Sequence, residues 1–414
     1  MNGSIPERQD LLSSQVTEGA LPKSRRAGVG LSLSGGGFRA ALFHLGALRR
    51  LNELGLLHQL DSISSVSGGS IISAFLACIL DFPLTGPVQD WESGISKPFR
   101  EFCSRNIRRM PIFKGLLPWK QNSELLAEQY ESLLTHGKKL AELPGNKPLF
   151  IFCGTDLLYG VNWIFTRPKS GDYQAGYAIP TPPEWKLSTA VAVSSCFPPV
   201  FKPMSLNLDP GKLTRGTARG PDRENEIRKL TFSDGGVYDN LGLEPIWRTH
   251  KTVLCSDGGA LFDRNAGNGL IWDVKRWLAI PENQALAVRK RWLISSFRDQ
   301  GDDGLDGTFW GVGSARESYR LSDGSHLSGG YSKQLATGVI GCIRTDLDAF
   351  SPAEAAVLEN HGYWLADAGV SAHLRPPLRP DPYPPLIIPH PEWAEEKAVR
   401  KALQDSWKRT LWGR

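Results

Sequence analysis

The strongest constraint on the fold lies in residues 29–73, where an apolar strand, a glycine-rich turn and a helix follow one another twice. Two such units in succession are typical of a parallel sheet whose strands are connected by crossover helices. Apolar runs predict further strands at 149–153, 229–233, 252–256 and 291–295, and helical periodicity predicts helices at 122–140, 186–194 and 351–360. The sequence therefore predicts an α/β protein with three α/β/α layers and a mainly parallel central sheet.

Around this pattern the 414 residues divide into three predicted parts. Residues 1–27 are polar and predict a loose N-terminal tail. Residues 28–350 hold the strand and helix pattern and form the predicted main domain, in which residues 85–140 are a cap-like segment. Residues 351–414 form a predicted C-terminal extension that wraps on the main domain.

The predicted extension has two recognisable features. Eight prolines between residues 375 and 391 predict an extended arm, because proline donates no backbone hydrogen bond and cannot continue a helix. After the arm, apolar side chains recur at every fourth position, namely at Val399, Leu403, Trp407 and Leu411. This spacing predicts a terminal amphipathic helix, and we expect its apolar face to dock on the main domain.

The composition excludes several classes of protein. A hydrophobic fraction of 41% and a charged fraction of 22% argue against a disordered chain and against a polytopic membrane protein. The most apolar stretch, residues 71–80, has about half of the ~20 residues that a membrane-spanning helix needs. The polar N-terminus also lacks the apolar centre of a signal peptide, so we expect a cytoplasmic protein.

Cysteines, histidines and net charge narrow the possible partners. The six cysteines include no C-x-x-C pair, and the eight histidines show no metal-binding spacing. The sequence therefore predicts no metal and no other cofactor. The net charge of +5 permits attraction to an anionic membrane surface but does not indicate a nucleic-acid-binding protein.

A glycine-rich loop follows the first apolar strand, with glycine at positions 35, 36 and 37. Glycines leave backbone N–H groups accessible, and the next helix adds its positive end, so such a loop binds a phosphate or a developing oxyanion. A tight turn without any ligand is the simpler interpretation. The spacing Gly35-x-Gly37-x-x-Ala40 also fits a dinucleotide fingerprint, but the acidic residue that this fingerprint needs is missing from the end of the second strand, since Asp61 lies at its beginning.

The second glycine turn places Ser67 between a strand and a helix, with small residues on both sides. This arrangement resembles the nucleophile elbow G-x-S-x-G, except that Ser65 replaces the first glycine. Small residues are needed there because the sharp turn brings strand and helix close together. A serine that merely caps the helix is the alternative interpretation.

A serine nucleophile needs a base, and the sequence offers several. Asp234 begins an Asp-Gly-Gly turn directly after a short apolar strand, and Asp257 begins a second one. Only the first is followed by Val-Tyr-Asp-Asn, and an Asp-Gly pair is also a common structural turn. A Ser-Asp-His triad would use a later histidine, for which the sequence offers His326, His361 and His373 without surroundings that mark any of them.

The order and spacing of these motifs resemble the patatin-like phospholipase family, and in particular its bacterial-type acyl hydrolases. The resemblance rests on the glycine loop 35–40, the elbow 65–69 and the turn 234–236. Two further blocks support it, an Ala-Ser-rich helix before Phe-Pro-Pro at 190–201 and the Val-Tyr-Asp-Asn block at 237–240. It covers roughly residues 28–260 and implies that residues 28–350 form a catalytic domain.

The resemblance also implies roles for individual residues. Ser67 would be the nucleophile and Asp234 its general base, in a dyad without histidine. The N–H groups of Gly35, Gly36 and Gly37 would form the oxyanion hole. Arg39, which we group with these oxyanion-hole residues, matches the basic position of the loop and would either steady the loop or meet a phosphate. Ala40 departs from the family's last glycine.

The implied function is hydrolysis of fatty-acyl esters of phospholipids or lysophospholipids through an acyl-serine intermediate. An esterase or acyl transferase acting on a soluble substrate is one alternative, and a ligand-gated phospholipase, like the cyclic-nucleotide-activated effectors of antiviral defence, is another. The implied partner is a phospholipid membrane surface, with the protein bound peripherally at its inner face. Residues 105–120 mix basic and apolar side chains, which predicts either a membrane contact or a cap packed on the domain.

Overall fold

The computed structural model describes residues 26–114, 121–262, 269–299, 301 and 304–408. Within these residues the strands are β1 Arg26–Leu33, β2 Ser62–Ser65, β3 Leu149–Asp156, β4 Val161–Phe165, β5 Ser170–Asp172, β6 Gly176–Ala178, β7 Met204–Ser205, β8 Leu213–Thr214, β9 Thr231–Asp234, β10 His250–Asp257 and β11 Asp306–Gly311. The helices are α1 Gly37–Glu53, α2 Gly68–Ile79, α3 Lys97–Cys103, α4 Arg109–Lys114, α5 Asn122–Tyr130, α6 Leu187–Ser195, α7 Arg223–Arg228, α8 Gly236–Asp239, α9 Glu244–Trp247, α10 Leu270–Arg298, α11 Lys333–Gly338, α12 Pro352–His373 and α13 Glu396–Leu403.

All the described strands join one sheet, whose main path runs β11-β10-β1-β2-β3-β4-β5-β6-β8. The five strands from β11 to β3 are parallel, and the strands beyond β3 pair in antiparallel fashion. Strand β9 lies off this path and pairs with the C-terminal half of β3, antiparallel to it. The predicted α/β fold with a parallel central sheet is confirmed.

Helices cover both faces of the sheet and give it the three predicted layers. Neighbouring residues of β10 belong to different cores. Leu254 belongs to the core that includes residues of α1, α2, α6 and α12, whereas Val253 and Cys255 belong to the core that includes residues of α9 and α10. Such alternation follows from the two-residue period of a strand. A parallel sheet buried on both faces explains why β3 and β10 contain nearly continuous apolar runs in the sequence.

Most of the predicted elements are present, but one is wrong. Residues 291–295, predicted as a strand, lie inside helix α10. Leu293 is buried there and Trp292 packs against Trp247, so the short apolar run is the inner face of a long helix. A short apolar run does not show whether its hydrophobic positions repeat every two or every 3.6 residues, so it does not distinguish a strand from a helix. The helix predicted at 122–140 ends as an α-helix at Tyr130, and the helix predicted at 351–360 continues to His373.

Helix α12 packs directly against α1. A Cβ placed on Gly46 would lie 1.8 Å from the Glu359 carbonyl oxygen, and one on Gly362 would lie 1.8 Å from the Phe43 carbonyl oxygen. No side chain fits at either glycine, so the two backbones are in contact. The domain boundary at residue 350 remains a prediction, but α12 itself belongs to the core and does not wrap around it.

The rest of the C-terminal region lies on this core. The proline-rich arm carries no helix or strand before residue 391, and the Arg50 guanidinium donates to its Pro384 and Pro385 carbonyl oxygens at 2.8 and 2.9 Å. In α13, Val399 and Leu403 are buried, so that part of the predicted apolar face is docked, whereas Trp407 is exposed. Leu411 and the predicted tail up to residue 25 lie outside the described residues.

The segment 105–120 is described only as far as Lys114. Ile107 is buried, whereas Met110 and Phe113 are exposed. Over the described part of the chain, no helix combines the length and the apolar character that crossing a bilayer requires.

Candidate active site

Ser67 stands on a strained turn between β2 and α2. Its backbone has φ 49° and ψ −114°, a conformation that costs a residue with a side chain on the order of 1–3 kcal/mol and is typical of a nucleophile elbow. The Ser67 N–H donates to both the carbonyl oxygen and the hydroxyl of Ser194 at 3.0 Å, which holds the turn in place. The predicted sharp turn at Ser67 is therefore present, with the side chain 8% exposed.

The small residues around Ser67 permit close backbone contacts. A Cβ on Gly68 would lie 2.2 Å from the Gly37 carbonyl oxygen, and one on Gly69 would lie 2.3 Å from the Leu33 carbonyl oxygen. The start of α2 thus lies against the end of β1 and against the glycine loop. The two glycine motifs of the sequence form one structure.

Ser65, which replaces the first elbow glycine, has a role of its own. Its hydroxyl donates to the Ile151 carbonyl oxygen at 3.2 Å and accepts from the Ser70 hydroxyl at 3.2 Å. The Ser70 oxygen in turn lies 2.8 Å from the Ser194 hydroxyl. This buried chain of hydroxyls ties the elbow to β3 and α6, so the departure from glycine adds anchoring contacts.

Asp234 lies beside Ser67 in a buried position. The pKa of Asp234 is raised to about 7, because burial outweighs the hydrogen bonds from the Gly236 N–H and the Ser67 hydroxyl, which lower it. Its Oδ1 accepts from the Gly236 N–H at 2.7 Å, while Oδ2 has no hydrogen-bond partner of ordinary geometry among the described residues. Catalytic hydrogen bonds are often long or poorly aligned before substrate binds, so this arrangement is compatible with a base at Asp234.

The sheet topology explains why these two residues meet. Strand β2 runs parallel to the first half of β3, where Ser65 pairs with Phe152. Strand β9 runs antiparallel to the second half of β3, where Asp234 pairs with Gly154. The two strands lie end to end along one edge of β3, so their C-terminal ends converge. The Ser194 carbonyl oxygen bridges them by accepting from the N–H groups of Ser67 and Gly235 at 3.0 and 3.4 Å.

The glycine loop presents two of its three predicted N–H donors. Gly36 and Gly37 adopt φ values of 136° and 59°, and within the described chain neither N–H donates to a protein group. The Gly35 N–H instead donates to the Asn240 carbonyl oxygen at 3.0 Å. The structure therefore corrects the assignment of Gly35, whose N–H is already occupied, and leaves Gly36 and Gly37 as the available pair.

Comparison with known proteins agrees with this geometry. A family model described as "Patatin-like phospholipase" matches residues 31–247, slightly more than half of the chain. The chain belongs to the patatin-like phospholipase family. The match includes the glycine loop, Ser67 and Asp234, and it ends before Asp257.

Solved structures add distant similarities. Human GIVD cytosolic phospholipase A2 in complex with methyl gamma-linolenyl fluorophosphonate is 16% identical with a TM-score of 0.46, and the match covers 92% of this chain and 59% of that one. VipD from Legionella pneumophila is 14% identical with a TM-score of 0.31, and the match covers 85% of this chain and 69% of that one. This chain thus spans 46–59% of the cytosolic phospholipase A2 chains that it matches. No curated protein matches the sequence.

In this member of the patatin-like family, the Arg39 side chain bonds to backbone groups beside the glycine loop. Its side chain is buried, and its guanidinium donates to the Gly258, Gly341 and Ile343 carbonyl oxygens at 2.7–3.2 Å. Of the two roles predicted for Arg39, the structure supports the first. The inclusion of Arg39 among the oxyanion-hole residues is corrected accordingly, because its N–H groups point at backbone carbonyls.

The second Asp-Gly-Gly turn is also structural. Burial acts to raise the pKa of Asp257, but the Lys290 ammonium and the Gly259 N–H outweigh it, so the pKa is lowered overall. Lys290 forms an ion pair with the Asp257 carboxylate. The same turn supports the glycine loop, since a Cβ on Gly36 would lie 2.8 Å from the Gly258 carbonyl oxygen. Asp257 therefore lies behind the glycine loop, in an ion pair with Lys290.

Neither Ser67 nor Asp234 has a histidine partner among the described residues. The three histidines considered for a triad bond elsewhere: His326 to the Glu317 carbonyl oxygen, His361 to the Val312 carbonyl oxygen and His373 to the Thr308 hydroxyl. Burial lowers the pKa of His361 to about 4, which keeps it neutral in the core. The geometry agrees with a base that acts without histidine.

Asn240 connects the parts of the site. Its Oδ1 lies 2.3 Å from where a Cβ on Gly35 would stand and 2.7 Å from the same point on Gly236, while its Nδ2 lies 2.9 Å from that point on Gly259. The side chain thus fills the space between three glycine turns, and its backbone carbonyl holds Gly35.

We expect Asn240→Ala to lower kcat by about 10- to 100-fold with little change in KM, because small displacements of reacting groups are costly once substrate is bound. Tyr238→Phe on the same turn is the matched control, since the Tyr238 hydroxyl interacts with Glu244, away from the glycine loop, and it should stay within a few-fold of the parent. Steady-state kinetics on a soluble ester measure both constants. A rise in KM with kcat unchanged would contradict a positioning role.

Proposed function

We propose that this protein is a serine acyl hydrolase that cleaves fatty-acyl esters of phospholipids or lysophospholipids. Family membership supports lipid acyl hydrolysis as the type of reaction. The observation that carries the proposal is the buried Asp234 carboxyl group beside a serine on a strained elbow, with one carboxyl oxygen that makes no hydrogen bond of ordinary geometry within the described chain. Such a pair has little structural purpose, because burying an unpartnered carboxyl oxygen is destabilising.

In the proposed reaction, Asp234 takes the hydroxyl proton of Ser67 while the serine oxygen attacks the ester carbonyl carbon. The carbonyl oxygen becomes an oxyanion, which the Gly36 and Gly37 N–H groups stabilise together with the positive end of α1. Collapse of this intermediate breaks the ester bond, and the departing alkoxide takes the proton from Asp234. Water then attacks the acyl-serine by the same route, releasing the fatty acid and restoring Ser67.

Burial gives Asp234 the basicity that this reaction needs. An ordinary aspartate, with a pKa near ~3.9, is a weak base at neutral pH, and a general base works best when its pKa is near the working pH. The raised pKa of about 7 therefore matches the proposed role. The proposed partner is a phospholipid surface, which the protein approaches from the cytoplasm.

The same pKa predicts how activity depends on pH. Because Asp234 acts as a base only when it is deprotonated, kcat/KM should rise with pH, reach half of its plateau near pH 7 and fall about tenfold per pH unit on the acid side. A pH profile on a soluble ester with a non-ionising leaving group measures this. An acid limb with its midpoint near pH 4 would contradict the assignment of Asp234 as a buried base.

The substrate class can be tested directly. Purified protein is incubated with mixed phospholipid vesicles, and lipids are quantified by mass spectrometry before and after, with the Ser67→Ala variant as the blank. We expect free fatty acid and lysophospholipid in equal amounts, followed by loss of the lysophospholipid if both esters are cleaved. Intact phospholipid together with cleaved short-chain soluble esters would contradict the proposal and favour a soluble esterase.

A further inference from the structure

Helix α10 exposes apolar side chains to solvent on one face. Trp277, Ile280 and Val288 are 62%, 45% and 56% exposed. Their spacing places them on one side of the helix, together with Gln284 and Arg291, which are also exposed. A helix on the surface of a soluble protein normally turns polar residues outward, so apolar side chains on this face indicate a surface that binds another molecule.

The opposite side of α10 borders the active site. Ala279, Leu286 and Arg289 line a cavity of about 170 Å³, which is closed on its other side by Gly236 and Asn240 of the catalytic turn. The cavity wall therefore includes residues directly next to Asp234. Its lining is largely apolar, as an acyl chain requires.

Exposed apolar residues also stand at the cavity itself. Leu261 and Phe262 line the cavity and are themselves exposed, and the Arg276 guanidinium lies 4.9 Å from the Phe262 ring centroid. We name Leu261, Phe262, Trp277, Ile280 and Val288 the α10 patch. Two of these five residues, Leu261 and Phe262, thus join the patch to the wall of the cavity.

Charge indicates what covers it. By sequence α10 carries six basic residues, Lys275, Arg276, Arg289, Lys290, Arg291 and Arg298, against the two acidic residues Asp273 and Glu282. Arg289 and Lys290 face the domain and form ion pairs with Asp239 and Asp257, whereas Arg276 lies against Phe262 of the patch. Arg291 extends the exposed face itself. Tryptophan and aliphatic side chains with basic residues beside them are the composition of helices that lie in the interface of an anionic bilayer.

We propose that the α10 patch docks the enzyme on the surface of a bilayer containing anionic phospholipid, so that the cavity opens toward the lipid. The proposal rests on the proposed function, since it supplies the route by which an acyl chain reaches Ser67. It locates the main contact on α10, and not on the segment 105–120 that the sequence suggested.

Vesicle binding tests the proposal separately from catalysis. All proteins carry Ser67→Ala, so that no lipid is consumed, and sedimentation is measured with vesicles of phosphatidylcholine and phosphatidylglycerol at a ratio of 3:1 and with phosphatidylcholine alone. The test variant is Trp277→Ser with Ile280→Ser. The matched control is Trp407→Ser, because Trp407 is equally exposed, at 61%, beside α13, which packs in the core on the opposite face of the sheet.

We expect the double variant to bind the anionic vesicles at least about tenfold more weakly, with Trp407→Ser unchanged and with weaker parent binding to phosphatidylcholine alone. With Ser67 restored, both variants should hydrolyse a soluble ester within twofold of the parent. Equal binding by the double variant and the control would overturn the proposal, as would a parent dimer that the double variant dissociates. If binding is lost as expected but no phospholipid is cleaved by the parent, the docking surface stands and the proposed function fails.

Discussion

Ser67→Ala is expected to lower kcat for ester hydrolysis by at least about 10⁴-fold and to abolish labelling by a fluorophosphonate probe. Removal of the nucleophile leaves only the oxyanion donors and substrate binding, which by themselves give serine hydrolases a small fraction of their normal rate. The fold should not suffer, because the Ser67 contacts to Ser194 come from the backbone N–H and alanine retains them. Turnover, probe labelling and thermal unfolding are measured on the same preparations.

Ser70→Ala is the matched control for that result. Ser70 lies three residues away, but its side chain is buried and its hydroxyl bonds to Ser65 and lies against Ser194. We expect Ser70→Ala to keep the label, with some loss of stability from the broken hydroxyl chain. Labelling that persists in Ser67→Ala and disappears in Ser70→Ala would move the nucleophile to Ser70.

The second large effect is expected at the base. Asp234→Asn is nearly isosteric but cannot accept the serine proton, so kcat should fall by at least about 10²-fold. Asp257→Asn should leave kcat within a few-fold of the parent, because Asp257 pairs with Lys290 behind the glycine loop. Both variants are compared on one soluble ester. The reverse ranking of the two variants would contradict Asp234 as the base and leave Ser67 unaffected.

Stability should change in opposite directions in these two variants. Burial holds the pKa of Asp234 above its unfolded value, so the parent loses stability as pH rises from about 4 to about 7, and Asp234→Asn should melt higher than the parent at pH 8. The pKa of Asp257 is lowered, so its carboxylate stabilises the fold above its unfolded pKa, and Asp257→Asn should melt lower. Thermal unfolding at pH 5 and pH 8 separates the two. A variant that gains stability when it loses such a group is expected, because active sites often keep groups that destabilise the fold.

The sequence by itself determined the parts of this protein whose signals are local. A glycine loop, a serine flanked by small residues and an Asp-Gly-Gly turn each occupy a few adjacent positions. The small residues in each motif indicate that the backbone turns sharply or packs closely there. The alternating strands and helices likewise follow from periodicity, because burial repeats every two or every 3.6 residues. The α/β class, Ser67 on its turn and the two Asp-Gly-Gly turns therefore needed no coordinates to be predicted, and the preference for Asp234 over Asp257 rested on the family resemblance of the residues around Asp234.

Only the tertiary structure decided how those parts are used, because the deciding contacts join residues far apart in the chain. Gly35 looks like its neighbours until Asn240, about two hundred positions later, takes its N–H. Arg39 resembles a phosphate ligand until the Gly258 and Gly341 carbonyl oxygens occupy it. Asp234 and Asp257 carry the same motif, and they differ because β9 turns against β3 and meets β2 end to end, whereas β10 ends beside Lys290. Hydrogen bonds and ion pairs of this kind depend on which backbones the folded sheet brings together, and no local pattern of residues encodes that.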